Sequence, residues 1–147
     1  MNRLAIFWAT TFGTGFFPIA PGTVGSIFII IIYYFLPPLN WITQTVLILV
    51  LFVIGVWAST KTEETYGHDA SQINIDEVVG TLIAVWLIDK TWLTLLIGLV
   101  AFRVFDIAKP YPINKIQNLK AGWGVMMDDV LAGVFANLVL RLSLLFF

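Results

Sequence analysis

Four apolar stretches constrain this chain more than any other feature. Residues 24–36 are nearly unbroken, 42–58 follow "PPLN", 78–105 are interrupted at "DKT", and 130–147 hold one charge, Arg141. One membrane-crossing helix takes ~20 apolar residues, with a range of about 17–25. The wider composition points the same way. Hydrophobic residues make up 59% and charged ones 12%, half the roughly one quarter typical of soluble domains. We therefore expect an all-α fold: a polytopic membrane helical bundle, formed as one domain over residues 1–147.

The run 78–105 is too long for one helix and carries two charges near its middle, so it predicts a helical hairpin turning at Asp89–Lys90. About five short membrane-embedded helices result, near 22–36, 42–60, 77–88, 92–108 and 128–146, with an interfacial or buried helix over 3–12. That first segment lacks a small-x-small cleavage site, which predicts that it is retained. Arg3, Lys61, Arg103, Lys109, Lys115 and Lys120 then fall on one side, against Lys90 and Arg141 on the other. The positive-inside rule makes the first side cytoplasmic. Eight of the nine acidic residues share that side, Asp89 being the exception, so the polar site is expected at the cytoplasmic face.

Net charge is −1 and there is no cysteine. The first offers no basic field for nucleic acid. The second excludes disulfides, thiolate metal sites and a cysteine nucleophile.

The acidic residues are placed unusually. "IDEVVG" sets Asp76 and Glu77, and "MDDVLAG" sets Asp128 and Asp129, at the predicted starts of apolar helices. Capping and the helix dipole explain one carboxylate in each pair. A second adds repulsion with little further capping. Gly80, Thr81 and Ala84 lie i+3, i+4 and i+7 from Glu77; Ala132, Gly133, Ala136 and Asn137 follow Asp129 similarly. Such small-residue stripes let membrane helices approach closely, which would bring Glu77 and Asp129 to one point. They could also serve packing between copies, leaving room for a homo-oligomer. Adjacent carboxylates repel unless a cation or proton lies between them, and all-oxygen ligands suit a hard ion such as Mg²⁺.

"FRVFDIAKPYP" adds Arg103, Asp106 and Lys109 at i, i+3 and i+6. Arg103 and Asp106 share a helix face, as a local ion pair or as a third carboxylate with a cation for an anionic ligand. Lys109 precedes a proline, where helical backbone is disfavoured. Upstream, "GTGFFPIAPGTVGS" (residues 13–26) has four glycines and no ionisable group. It is a linker, or a loop whose N–H groups and hydroxyls, around Gly22, Thr23 and Ser26, meet a phosphate. His68, in "YGHDAS", could be a base or a phosphate partner. A transporter or proton/cation channel is the rival reading, since intramembrane acids also mark ion paths. It predicts acids at mid-membrane rather than at one face.

Taken in order, "GTGFFPIAPGTVGS", "INIDEVVG", "FRVFDIAKPYPI" and "GVMMDDVLAG" resemble the phosphatidylglycerophosphatase A family over nearly the whole chain. The resemblance implies Mg²⁺-dependent hydrolysis of phosphatidylglycerophosphate to phosphatidylglycerol in a bacterial inner membrane. By motif, Asp76, Glu77, Asp128 and Asp129 would form the metal and catalytic cluster. Arg103, Asp106 and Lys109 would be the "FRxFDxxKP" part, and Gly22, Thr23 and Ser26 the phosphate-side loop. The nucleophile is water or an aspartate; the lack of a DxD pair points to water. Phe17 stands where relatives often have Ser, and Ala121 where they often have a glycine.

Overall fold

The computed structural model describes residues 2–146 and is entirely helical, with no strand among those residues. Its elements are α1 (Arg3–Ala9), a 3₁₀ turn (Thr14–Phe16), α2 (Pro21–Phe35), α3 (Trp41–Tyr66), α4 (Ile75–Ala84), α5 (Trp92–Ala108), α6 (Ile113–Ile116) and α7 (Gly122–Ser143).

Local chemistry sets most boundaries. The Asn40 side chain accepts from the Thr43 N–H at 2.9 Å to start α3, and Gly67 ends that helix at φ 96°, a backbone region open chiefly to glycine. Thr91 and Thr94 cap α5 reciprocally. The α5 bounds match expectation, and α3 continues past the expected 60 through a polar extension to Tyr66.

Two expected boundaries were wrong. α4 spans ten residues from Ile75, and residues 85–91 form the turn into α5. α7 starts at Gly122, six residues ahead of the expected 128. The glycines and the absence of a capping residue in "KAGWG" hid that start, although Val125 and Met126 are already buried on the core side before the acids arrive. Asp128 and Asp129 therefore lie about two turns into a helix and cap nothing. Asp76 is no cap either: Asn74 holds that position.

α4 is the centre of the bundle. Eight of its ten residues are buried, so it is a core element, with no broad face left for lipid. Ile75 and Val79 pack with Ala58, Val125 and Met126. Val78 and Leu82 pack with Ile30 and Leu95, and Ala84 packs with Phe102, Ala132 and Ala136. The small-residue stripes do bring α4 and α7 together: a Cβ added at Gly80 would come within 2.8 Å of the Asp129 carbonyl oxygen. At the far end of α4, Asn137 donates to the carbonyls of Ile83 (3.1 Å), Ala84 (3.0 Å) and Trp86 (3.0 Å). Asn137 thereby ties α7 to the C-terminal end of α4, where helix carbonyls run out of intrahelical partners.

α3 behaves oppositely. Its mean hydropathy reaches 2.2 while only 17% of that stretch is buried, and it is the one helix among the described residues long and apolar enough to cross a membrane. At 26 residues it runs about 39 Å. α2 is apolar but shorter.

Candidate active site

The site is built at the end of the bundle where α4 begins. Asn74 is the joint. Its side chain is fully buried and donates to Thr14 Oγ1 and to the Pro21 carbonyl, both at 3.0 Å. Its own N–H reaches the Ala9 carbonyl at 2.9 Å. One residue thus ties α1, the glycine loop and the α2 start to the first turn of α4. Sequence reasoning passed over Asn74; its signal was a polar residue between Ile73 and Ile75, directly before the acid pair.

Asp76 and Glu77 occupy that first turn, and Asp129 reaches them from α7. One carboxylate oxygen from each of the three lies within 4.8 Å of the others. Asp76 Oδ1, Glu77 Oε2 and Asp129 Oδ2 are buried and have no hydrogen-bond partner. Asp129 is 2% exposed and Asp76 7%. Leaving such oxygens unpaired costs free energy, and like charges this close raise the cost. A hard cation removes both penalties at once, and carboxylate oxygens are the donors it prefers. The residues present therefore fit a divalent ion.

The expected cations are here too. Arg103 Nη1 is 2.5 Å from Asp106 Oδ2 and 3.7 Å from Glu77 Oε1, so the local pair and the link to the cluster coexist. Its Nε is buried without a partner. Lys109 follows the last residue of α5 in a left-handed conformation, φ 41°. That turn carries its ammonium to Asp128 Oδ2 at 2.5 Å. Burial pulls the Lys109 pKa down, but the hydrogen bond and charge of Asp128, with Asp129 and Asp106 behind it, outweigh this and raise it. Asp128 is thereby turned away from the other three acids. Its Oδ1 accepts the Asp129 N–H at 3.0 Å.

The glycine loop meets the same point. A Cβ on Gly22 would overlap Glu77 Oε1 and stand 3.3 Å from Arg103 Nη1, so only glycine permits this approach. α2 has no side-chain cap, and the N–H groups of Gly22 and Thr23 in its first turn have no intrahelical acceptor. Thr23 is half-buried beside them. Ser26 is fully buried one turn further in, without a partner for its hydroxyl. His68 is exposed on the loop after α3, and its Nδ1 is 2.6 Å from Glu63 Oε1. The structure does not join it to the carboxylate cluster.

The family model for phosphatidylglycerophosphatase A matches residues 7–144. A Bacteroides thetaiotaomicron protein named "Putative phosphatidylinositol-3-phosphatase" is 41% identical over 149 residues, covering 95% of this chain and 93% of that one. The Escherichia coli phosphatidylglycerophosphatase A is 37% identical over 133 residues, covering 87% and 76%. The Haemophilus influenzae phosphatidylglycerophosphatase A is 37% identical over 135 residues, covering 89% and 83%. No solved structure matches the chain. With its acidic cluster, its paired cations and a family match across nearly all of its length, this chain belongs to the phosphatidylglycerophosphatase A family and is a phosphatase.

Proposed function

We propose that the chain is a single integral-membrane phosphatase domain that hydrolyses phosphatidylglycerophosphate to phosphatidylglycerol and phosphate, using Mg²⁺ held by Glu77, Asp129 and Asp76. The observation that carries the reading is the set of three unpartnered carboxylate oxygens beside Arg103 and the Gly22 approach. When bound, the ion supplies Lewis-acid polarisation of a phosphoryl oxygen. Arg103 offsets charge that grows on the transferring group, and the Gly22 and Thr23 N–H groups orient its remaining oxygens. Lys109 pairs with Asp128 and so holds the start of α7 against the end of α5. Water is the attacking group. Asp128, in contact with Lys109 rather than with the three-acid cluster, serves positioning more than ligation.

In this reading several helices besides α3 sit in the bilayer, around the buried α4. The site faces the cytoplasm, where the basic residues Lys61, Lys109, Lys115 and Lys120 gather. The opposite end supports that orientation by its own chemistry. Lys90 there bonds the Tyr33 carbonyl at 3.2 Å, and Arg141 the Trp86 carbonyl at 3.0 Å, so both cations serve helix ends. Acids grouped at one face also argue against an ion path through mid-membrane.

The relative named for phosphatidylinositol-3-phosphate supplies a second substrate to test. Purified protein in mixed micelles is assayed for phosphate release from each lipid, with Mg²⁺ and with chelator. Release from phosphatidylglycerophosphate that requires Mg²⁺ is the expected result. Preferential release from phosphatidylinositol-3-phosphate would reassign the substrate, and release unaffected by chelator would remove the metal.

A further inference from the structure

An apolar groove of about 590 Å³ runs between α2 and α5. Ile27, Ile30 and Ile31 line it from α2, and Leu93, Leu96 and Leu99 from α5. It is open along its length and pinned at both ends. At the site end, Gly22 approaches Arg103 Nη1. At the other, Tyr34 stacks on Trp92 with ring centroids 4.2 Å apart. Its volume lies within the ~300–1,000 Å³ of small-molecule pockets.

We infer that this groove seats one acyl chain of the phospholipid whose headgroup phosphate lies at the carboxylate cluster. The inference rests on the lipid-phosphatase reading above. Three features select that occupant over any other apolar ligand. First, the groove runs toward the site: Leu99 and Ile27, which line it, lie one helical turn from Arg103 and Thr23 on the same two helices. Second, its length is right. From Arg103 to Trp92, and from Thr23 to Tyr34, the helices run about 16 Å at 1.5 Å per residue. That is one half of a hydrocarbon core of ~30 Å, the depth an acyl chain occupies in one leaflet. Third, every lining side chain is apolar, so nothing in the groove asks for a polar partner. The stacked Tyr34–Trp92 pair bounds the far end of the groove, and its exposed flank, with Ile31, Leu93 and Leu96, lets lipid enter sideways from the bilayer.

The groove differs from a second apolar hollow of about 240 Å³, lined by Leu49, Phe52 and Met127 among others, which supplies the control. The experiment compares wild type, Leu96→Trp and Leu49→Trp. Both leucines are more than half exposed, so neither substitution disturbs the core. Two substrates are used: dioleoyl phosphatidylglycerophosphate, and its deacylated water-soluble headgroup. A dioleoyl analogue with a diazirine at mid-chain is photo-cross-linked in parallel, and the labelled peptides are identified. The label should map to residues 27–34 and 92–99. Leu96→Trp should reduce that labelling and raise KM for the dioleoyl lipid about tenfold, the loss of roughly two buried methylenes. Its rate on the soluble headgroup should stay unchanged, as should every parameter of Leu49→Trp. Label spread equally over the outward face of α3, or equal behaviour of the two Trp variants, would overturn the proposal. Absence of phosphate release from both substrates by wild type would reject the phosphatase reading instead, while the labelling pattern would still decide the groove.

Discussion

Asp76–Glu77 and Asp128–Asp129 look alike on paper, two acid pairs each leading an apolar segment, yet the fold uses them differently. The first pair sits in the opening turn of α4, and both members offer an oxygen to the three-acid cluster. The second lies inside α7, about two turns from its start, between the first acid pair and the end of α5. Only Asp129 reaches the cluster; Asp128 takes Lys109 at 2.5 Å. One pair is thus left without a basic partner for Asp76, while the other is divided between cluster and ion pair. The difference shows how a short sequence motif gains two roles from one helix turn. Where both acids converge, an outside cation is needed; where they diverge, the chain supplies its own.

Substitutions can break this contrast at several strengths. The largest effect is expected from Glu77→Gln or Asp129→Asn, which remove one member from each pair at their meeting point. Phosphate release should fall about 10³-fold, since a metal's stabilisation of the reacting group is worth several kcal/mol. Near-normal turnover in either variant would show that the cluster holds no catalytic ion. A smaller and more diagnostic effect separates Asp76 from Asp128. Asp76→Asn should raise the Mg²⁺ concentration for half-maximal activity, roughly 10–100-fold in affinity. Asp128→Asn should lower the rate with little change in that concentration. Matching Mg²⁺ titrations for the two would erase the distinction between the pairs.

Lys109→Met tests the ion pair by stability. Lys109 has a raised pKa, so its contribution is fully present below the unfolded value, ~10.4, and is lost only as pH rises through the higher folded value. Thermal unfolding in detergent should show a loss of about 3 kcal/mol, as for breaking a largely buried pair. That loss should be the same from pH 6 to pH 9. A loss that shrinks with pH inside this window would mean Lys109 titrates there. The smallest effect is expected at Ala121, which precedes α7 at φ 54° and ψ −154°, a region essentially restricted to glycine. Ala121→Gly should raise stability by about 1 kcal/mol, measurable as a higher melting temperature, and leave both acid pairs where they are.

Much of this was legible beforehand, and the reasons are local. α5 was bounded by Thr91 and the Lys109–Pro110 break, α3 by Asn40 and Gly67, all short-range capping chemistry. The meeting of Glu77 and Asp129 followed from stripes of Gly and Ala, because only small residues let two helices close to backbone contact. The misread parts involved burial. The start of α7 was hidden because "GWGVMMDD" has no capping residue, and Ala121 holds its place through backbone strain that residue type does not announce. α4 was read as one arm of a membrane-embedded hairpin, and contacts on every side make that arm a core helix. Asn74 drew no notice because its partners, Thr14, Pro21 and Ala9, lie more than fifty residues away.

The chain's residues alone determined that it would be helical, apolar and acidic at one end, since hydropathy, capping and charge act over a few residues. The resemblance in its four motifs added the family. Only the tertiary structure decided which carboxylates share a point, which one Lys109 neutralises, and how closely the glycine loop meets Glu77. "GTGFFPIAPGTVGS" could have been a linker; Asn74 and the missing Cβ of Gly22 set it against Glu77 and Arg103. Those outcomes depend on distances between segments far apart in sequence, which packing sets and no local preference encodes.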